Sequence, residues 1–192
     1  GKESIDGIWS DEDAKFQKEI EINLDELFPV VAATHHVDNV KALAEVKGTE
    51  VHQGFIGTCT NGRIEDLRQA AEVLKGKKVA DGFQLLVTPA SQKIYLQAMK
   101  EGLIETFIEA GANVLSSSCG PCLGTGQGIP ADGFNIISTA NRNFLGRMGN
   151  KNSFVYLASP ANVAMSAITG EITDTRKNGH DDTFPYKKEQ SA

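Results

Sequence analysis

Three cysteines stand out in this chain of 192 residues: Cys59, alone in Gly57-Thr58-Cys59-Thr60-Asn61, and the pair in Cys119-Gly120-Pro121-Cys122. Each sits in a glycine- and hydroxyl-rich turn that follows an apolar run. A closed four-iron cluster takes four thiolates. Three would leave one iron without a protein ligand, free to bind a substrate oxygen as a Lewis acid. The count therefore points to catalysis rather than electron transfer, provided the three sulfurs converge in space.

Other chemistry competes for the same residues. Cys-Gly-Pro-Cys is also a dithiol redox motif, and there the first cysteine opens a helix. Here Leu123-Gly124-Thr125-Gly126-Gln127-Gly128-Ile129-Pro130 follows. Glycine costs a helix about 1 kcal/mol and proline about 3, so the spacing predicts an extended loop. A zinc site on the three cysteines would need a fourth ligand, and neither His52 nor His180 has ligand-like spacing. A lone cysteine after a strand is most often a small buried hydrophobe. Around Cys59, however, Thr58, Thr60 and Asn61 offer polar donors, and a helix predicted from Arg63 aims its N-terminus at the same place, which favours a thiolate and a net-negative group. Asn141-Arg142-Asn143-Phe144-Leu145-Gly146-Arg147 places two guanidiniums five residues apart, a pattern suited to bidentate carboxylate binding, although isolated arginines are usually solvated. The Gly124-x-Gly126-x-Gly128 run lacks the dinucleotide fingerprint and the P-loop lysine. His35-His36 are adjacent and so face different ways on regular structure. Ser91 reads as a helix cap, and Ser116-Ser117-Ser118 as a polar turn able to hydrogen-bond sulfur.

The elements that must position these residues alternate. Strands are expected at 52–56, 84–87, 113–116, 134–138 and 154–158. Helices are expected at 63–74, with Ile64, Leu67, Ala71 and Leu74 on one face, and from the Ser91 cap to about 101, with Ile94, Tyr95, Ala98 and Met99 inward. Two more are expected at 103–110, closed by Gly111, and after Ser159-Pro160, closed by Gly170. This order predicts an α/β fold, a three-layer α/β/α arrangement with a mostly parallel sheet. Cys59, Cys119 and Asn141-Arg142 each follow a strand, so all would line the carboxyl edge of the sheet, where such folds bind ligands. Residues 1–25 read as an acidic linker or edge segment with a short alternation at Ile20 and Ile22, residues 26–176 as the iron–sulfur α/β domain, and residues 177–192 as a charged tail.

Composition bounds the function further. The formal net charge is −6, with no basic stripe, which argues against a nucleic-acid partner. No apolar run approaches the ~20 residues of a membrane span, and the N-terminal residues lack a signal core. An odd cysteine count does not fit a secreted disulfide framework, so a reducing, cytoplasmic setting is expected. The chain opens on Gly rather than Met, which hints at an excised domain or a trimmed tag.

Gly57-Thr58-Cys59-Thr60-Asn61-Gly62-Arg63-Ile64-Glu65-Asp66-Leu67, Cys119-Gly120-Pro121-Cys122-Leu123-Gly124 and Asn141-Arg142-Asn143-Phe144-Leu145-Gly146-Arg147 together resemble the aconitase superfamily, in the family's order and at similar spacing. The likeness spans roughly residues 20 to 176 and is strongest to large subunits of the 3-isopropylmalate dehydratase and homoaconitase type. The resemblance implies that Cys59, Cys119 and Cys122 hold a [4Fe–4S] cluster through three irons. The fourth iron would bind a hydroxy-carboxylic acid, and the reaction would be reversible loss and re-addition of water, as in leucine biosynthesis. It implies that Arg142 and Arg147 hold substrate carboxylates, and that Asn141, Thr60 and Asn61 hydrogen-bond around the cluster. Relatives of this type are more than twice as long. They add two preceding domains and a swivelling domain or small subunit bearing a serine base, so this chain resembles the cluster-bearing third domain, inactive alone, with no catalytic base of its own. The stretch Ala33-Thr34-His35-His36-Val37-Asp38-Asn39 departs from the family's usual prolines at Thr34 and Val37. Two other readings are a thiol–disulfide oxidoreductase through Cys119 and Cys122, and an RNA-binding or iron-sensing aconitase relative.

Overall fold

The computed structural model describes residues 7–24 and 27–175; the expected C-terminal tail, with His180, lies outside them. Seven strands form one sheet in the order β2-β1-β7-β6-β3-β4-β5. They are β1 (Val30–Ala32), β2 (Val40–Ala42), β3 (Gln53–Gly57), β4 (Gln84–Thr88), β5 (Asn113–Val114), β6 (Asn135–Ser138) and β7 (Phe154–Leu157). The five strands from β3 to β7 pair in parallel. The β1–β2 pair adds an antiparallel edge through β7. The helices are α1 (Leu43–Val46), α2 (Thr58–Asn61), α3 (Ile64–Leu74), α4 (Gln92–Lys100), α5 (Leu103–Ala110) and α6 (Pro160–Thr169).

The α/β class and the mostly parallel sheet are as expected; the layering differs. Helices α3, α5 and α6 pack against the strands on one face, and α4 packs against α3 and α5. Ile56, Leu85, Val87 and Ile137 of the sheet meet Leu67, Leu74, Phe107 and Val163 of the helices there. The alternate residues Phe55, Leu86, Ile136 and Val155 point to the other face, where Cys122, Ala140 and Met148 cover them. That cover, between β5 and β6 and between β6 and β7, contains no α-helix. Gly120, Gly124, Gly126, Gly128 and Gly133 all take positive φ, and Pro121 and Pro130 interrupt the same stretch, a composition that cannot sustain a helix. The third layer is thus ordered loop, not helix.

The helix boundaries follow local chemistry. Ser91 accepts a hydrogen bond from Ile94 N at 3.3 Å and Ser159 from Asn162 N at 3.3 Å, each filling an N-cap. Gly111 and Gly170 close α5 and α6 in the left-handed conformation. On α4 only Ala98 is fully buried. Met99, expected inward, is 55 % exposed, because α4 packs along its α3 and α5 side only. Residues 7–24 contain no strand, and Ile20 and Ile22 are exposed. No described helix is long and apolar enough to cross a membrane.

Asp132 ties the two halves of the cover together. Its carboxylate accepts hydrogen bonds from Asn150 Nδ2 at 2.8 Å and Asn152 Nδ2 at 3.1 Å, and these hold its pKa below the ordinary carboxylate value. A lowered folded pKa contributes stability above the unfolded pKa of about 3.9 and loses it as pH falls through the folded value. Thermal melts between pH 6 and pH 3 are therefore expected to show a shallower acid decline for Asp132→Asn than for the parent.

Candidate metal and substrate site

Cys59 lies in α2, directly after β3. The turn into α2 is tight: Thr58 takes φ +73°, at which a β-branched residue costs about 1–2 kcal/mol. Neighbouring bonds hold it there. Thr58 Oγ1 accepts from Asn61 N at 3.4 Å and lies 3.3 Å from Thr60 Oγ1. Asn61 Nδ2 donates to Thr139 O across the sheet. Thr139 Oγ1 in turn accepts from Gly57 N at 2.9 Å. This network bridges β3 and β6, where the chain order reverses direction across the sheet, the usual place for a ligand site. Thr60 and Asn61, expected around a cluster, make their observed hydrogen bonds within this turn and its anchor. The α3 N-terminus is itself capped, with Arg63 N donating to Asp66 Oδ2 at 3.0 Å.

The cysteine pair sits at a 3-10 turn, Gly120–Leu123, with Cys119 as its N-cap and Pro121 near its start. Cys122 N donates to Cys119 O at 3.1 Å, closing the turn. No helix follows it, which is the expectation that set this motif apart from dithiol oxidoreductases. Cys119 is exposed and Cys122 buried. Beside Cys119 opens a cleft of ≈ 400 Å³ lined by Ser116, Ser118, Gly120, Thr125 and Gly126.

The arginine loop meets this turn directly. Arg147 Nη2 lies 3.5 Å from Cys122 Sγ, and its guanidinium sits 5.5 Å from the Phe144 ring centroid, within cation–π range. Arg142 is exposed, with Nη1 donating to Asn141 O at 2.6 Å. Asn143, which the sequence reading did not single out, is fully buried. Its Nδ2 faces Ala33 O at 2.8 Å and Ala32 O and Val155 O at 3.2 Å, fastening the arginine loop to β1 and β7. The repeated Asn of Asn141-Arg142-Asn143, flanking an arginine in an otherwise apolar run, was the signal that could have found it. Gly124 and Gly149 supply the close approach between turn and loop: a Cβ on Gly124 would stand 2.6 Å from Gly149 N.

The fit of an iron–sulfur group can be judged from the donor set. Arg147 Nε and the hydroxyls of Ser117 and Thr88 are buried donors without a hydrogen-bond partner among the described residues, and a net-negative sulfur-rich group accepts such donors. Among the described residues no three His, Cys, Asp or Glu side chains close on one metal ion. The zinc alternative thus lacks a convergent ligand set, whereas a cluster is met at separate corners, one thiolate per iron. The described histidines are engaged elsewhere. His52 Nδ1 accepts from Asn135 N at 3.1 Å and its ring stacks on Phe134 at 4.7 Å; His35 packs against Phe154; His36 is exposed beside Asp38. Arg147 Nε, unpartnered on the side chain that reaches Cys122 Sγ, suits a net-negative sulfur-rich group at that cysteine.

Comparisons with known proteins agree in kind. The sequence model of the aconitase family (aconitate hydratase) matches residues 36–170. The "3-isopropylmalate dehydratase large subunit 2" of Archaeoglobus fulgidus is 56% identical over 170 residues, 88% of this chain and 41% of that protein. The "Methanogen homoaconitase large subunit" of Methanocaldococcus jannaschii is 53% identical over 163 residues, covering 85% and 39%. The "3-isopropylmalate dehydratase large subunit" of Elusimicrobium minutum is 54% identical over 170 residues, covering 88% and 41%. The chain therefore spans about two-fifths of the length of these curated relatives. With the family's sequence model matching most of its length, this chain belongs to the aconitase family.

Proposed function

We propose that this chain is the cluster-bearing portion of a hydro-lyase of the 3-isopropylmalate dehydratase and homoaconitase type, acting on a hydroxy di- or tricarboxylic acid. The observation that supports the proposal is the approach of Arg147 to Cys122, a guanidinium able to pair with a carboxylate beside one of the three cysteines. Cys59, Cys119 and Cys122 would hold a [4Fe–4S] cluster. When bound, that group supplies a Lewis-acidic iron that polarises a substrate hydroxyl.

The chain's own residues do the binding and orienting. Arg147, with its guanidinium over Phe144, offers a fixed fork to a substrate carboxylate. Arg142, more exposed, offers a second contact. Asn141 places its buried Oδ1, unpaired among the described residues, at the start of the same loop. The proton-transferring base and further carboxylate contacts are assigned to the remaining large-subunit domains and a small subunit, because the chain spans only part of its relatives. Alone it is expected to be inactive. A reducing cytoplasm suits three free thiols, and a role in leucine biosynthesis follows if the substrate is an isopropylmalate. The formal charge of −6 disfavours RNA binding, which needs cationic surface.

Anaerobic reconstitution with iron and sulfide, followed by Mössbauer spectroscopy, tests the proposal. Four irons with one chemically distinct site are expected, and Cys59→Ser should assemble much less four-iron cluster. Equal assembly by that variant would sink the assignment. A rapid disulfide between Cys119 and Cys122 in place of any cluster would favour the dithiol reading instead.

A further inference from the structure

Thr88 ends β4 with its side chain 1 % exposed, and its hydroxyl has no hydrogen-bond partner among the described residues. Valine would fill the same space without burying an unsatisfied hydroxyl. The position of the residue suggests why a hydroxyl is kept. Strand β4 lies between β3 and β5, so Thr88 stands between the turn carrying Cys59 and the loop leading to Cys119 and Cys122. Side chains alternate along a strand. Val87 faces the helices, and Leu86 faces the cover with Cys122, so Thr88 faces the cover too, at the carboxyl edge. It also abuts the Cys59 turn, since a Cβ on Gly57 would stand 3.0 Å from Thr88 Cβ.

We propose that the Thr88 hydroxyl is a hydrogen-bond donor directed at the sulfur of the cysteine-held group, a positioning residue that tunes its redox behaviour. This rests on the cluster reading above. A donor to sulfur stabilises the more negative, reduced state and so raises the reduction potential. In the cluster-free chain the same hydroxyl has no partner among the described residues and only destabilises.

Thr88→Val and Thr88→Ser, made in the 192-residue chain, separate this role from a merely structural one. Each is melted before and after anaerobic reconstitution, and the loaded protein is titrated for reduction potential by electron paramagnetic resonance. Without the cluster, Thr88→Val should melt above the parent. Once loaded, it should lose that advantage and show a more negative potential, while Thr88→Ser tracks the parent in potential. If Thr88→Val keeps its advantage in both states and has the parent's potential, the hydroxyl does not reach sulfur and the proposal falls. Should Thr88→Val fail to fold, Thr88→Ser against Thr88→Ala decides: equal potentials overturn it. A parent that assembles no cluster removes the functional reading itself and this inference with it, whereas a loaded parent indifferent to Thr88 removes this inference alone.

Discussion

Gly124→Ala should unfold about 3 kcal/mol more easily than the parent and pull the arginine loop off the cysteine turn. Two costs add. Gly124 takes φ +77°, where an L-residue is strained by roughly 1–2 kcal/mol. Its new Cβ would stand 2.6 Å from Gly149 N and 2.7 Å from Gly149 Cα. These are backbone atoms with no rotamer to retreat into, and overpacking of that kind costs about 1–3 kcal/mol. Gly126 is the control: it takes φ +72° in the same loop with nothing within 4 Å of an added Cβ. Gly126→Ala should therefore lose only about 1 kcal/mol. The difference between the two variants in urea denaturation isolates the clash. Because Cys122 is only 7 % exposed and lies against Arg147, its alkylation by iodoacetamide should quicken in Gly124→Ala and not in Gly126→Ala. Equal stabilities for the two variants would show that turn and loop do not depend on this contact.

Asn143→Asp should be worse than Asn143→Ala. Truncation leaves the carbonyls of Ala32, Ala33 and Val155 without their shared donor, at about 1–3 kcal/mol for the buried groups it strands. A carboxylate in the same place would turn oxygen toward three carbonyl oxygens in a fully buried setting, costing on the order of 4 kcal/mol or more. The pH dependence distinguishes the two variants. Burial raises the pKa of the introduced carboxyl, and its protonated form regains one donor. The deficit of Asn143→Asp should therefore shrink as pH falls from 7 to 5, while that of Asn143→Ala stays flat. A deficit in Asn143→Asp no larger than in Asn143→Ala at pH 7 would mean that the loop opens freely at this point.

The sheet, its parallel strands and the helical face were legible because period and punctuation agreed. On α3, Ile64, Leu67, Ala71 and Leu74 recur at helical spacing and are all buried. On α5 and α6 the closing glycines stand where the pattern ends. The antiparallel edge was not legible. Strands β1 and β2 have three residues each, too few for an alternation to register; β1 joins the sheet through β7 and Asn143, and β2 pairs with β1. Helix α2 was hidden inside a glycine- and threonine-rich turn, since one helical turn bracketed by Gly57 and Gly62 has no period to read. At the site, residue type and motif spacing singled out three cysteines and two arginines, and the structure brings one of each together, Arg147 and Cys122. Asn143 was not legible, because its importance lies in a buried amide whose partners come from the ends of distant strands.

The division of the molecule into a helix-backed face and a loop cover has a consequence for how it opens. Cys119, Cys122, Arg142 and Arg147 all belong to the cover, which rests on a few apolar contacts and on side-chain hydrogen bonds such as those of Asp132 and Asn150. Segments of that kind open locally at a free energy below that of the whole chain. In amide hydrogen exchange, the cover between β5 and β7 should lose protection in one early step, while β3, β4, α3 and α6 exchange only on global unfolding. The proposed cluster would then be inserted and sealed in by the lower-stability half, with the other half already folded as its template.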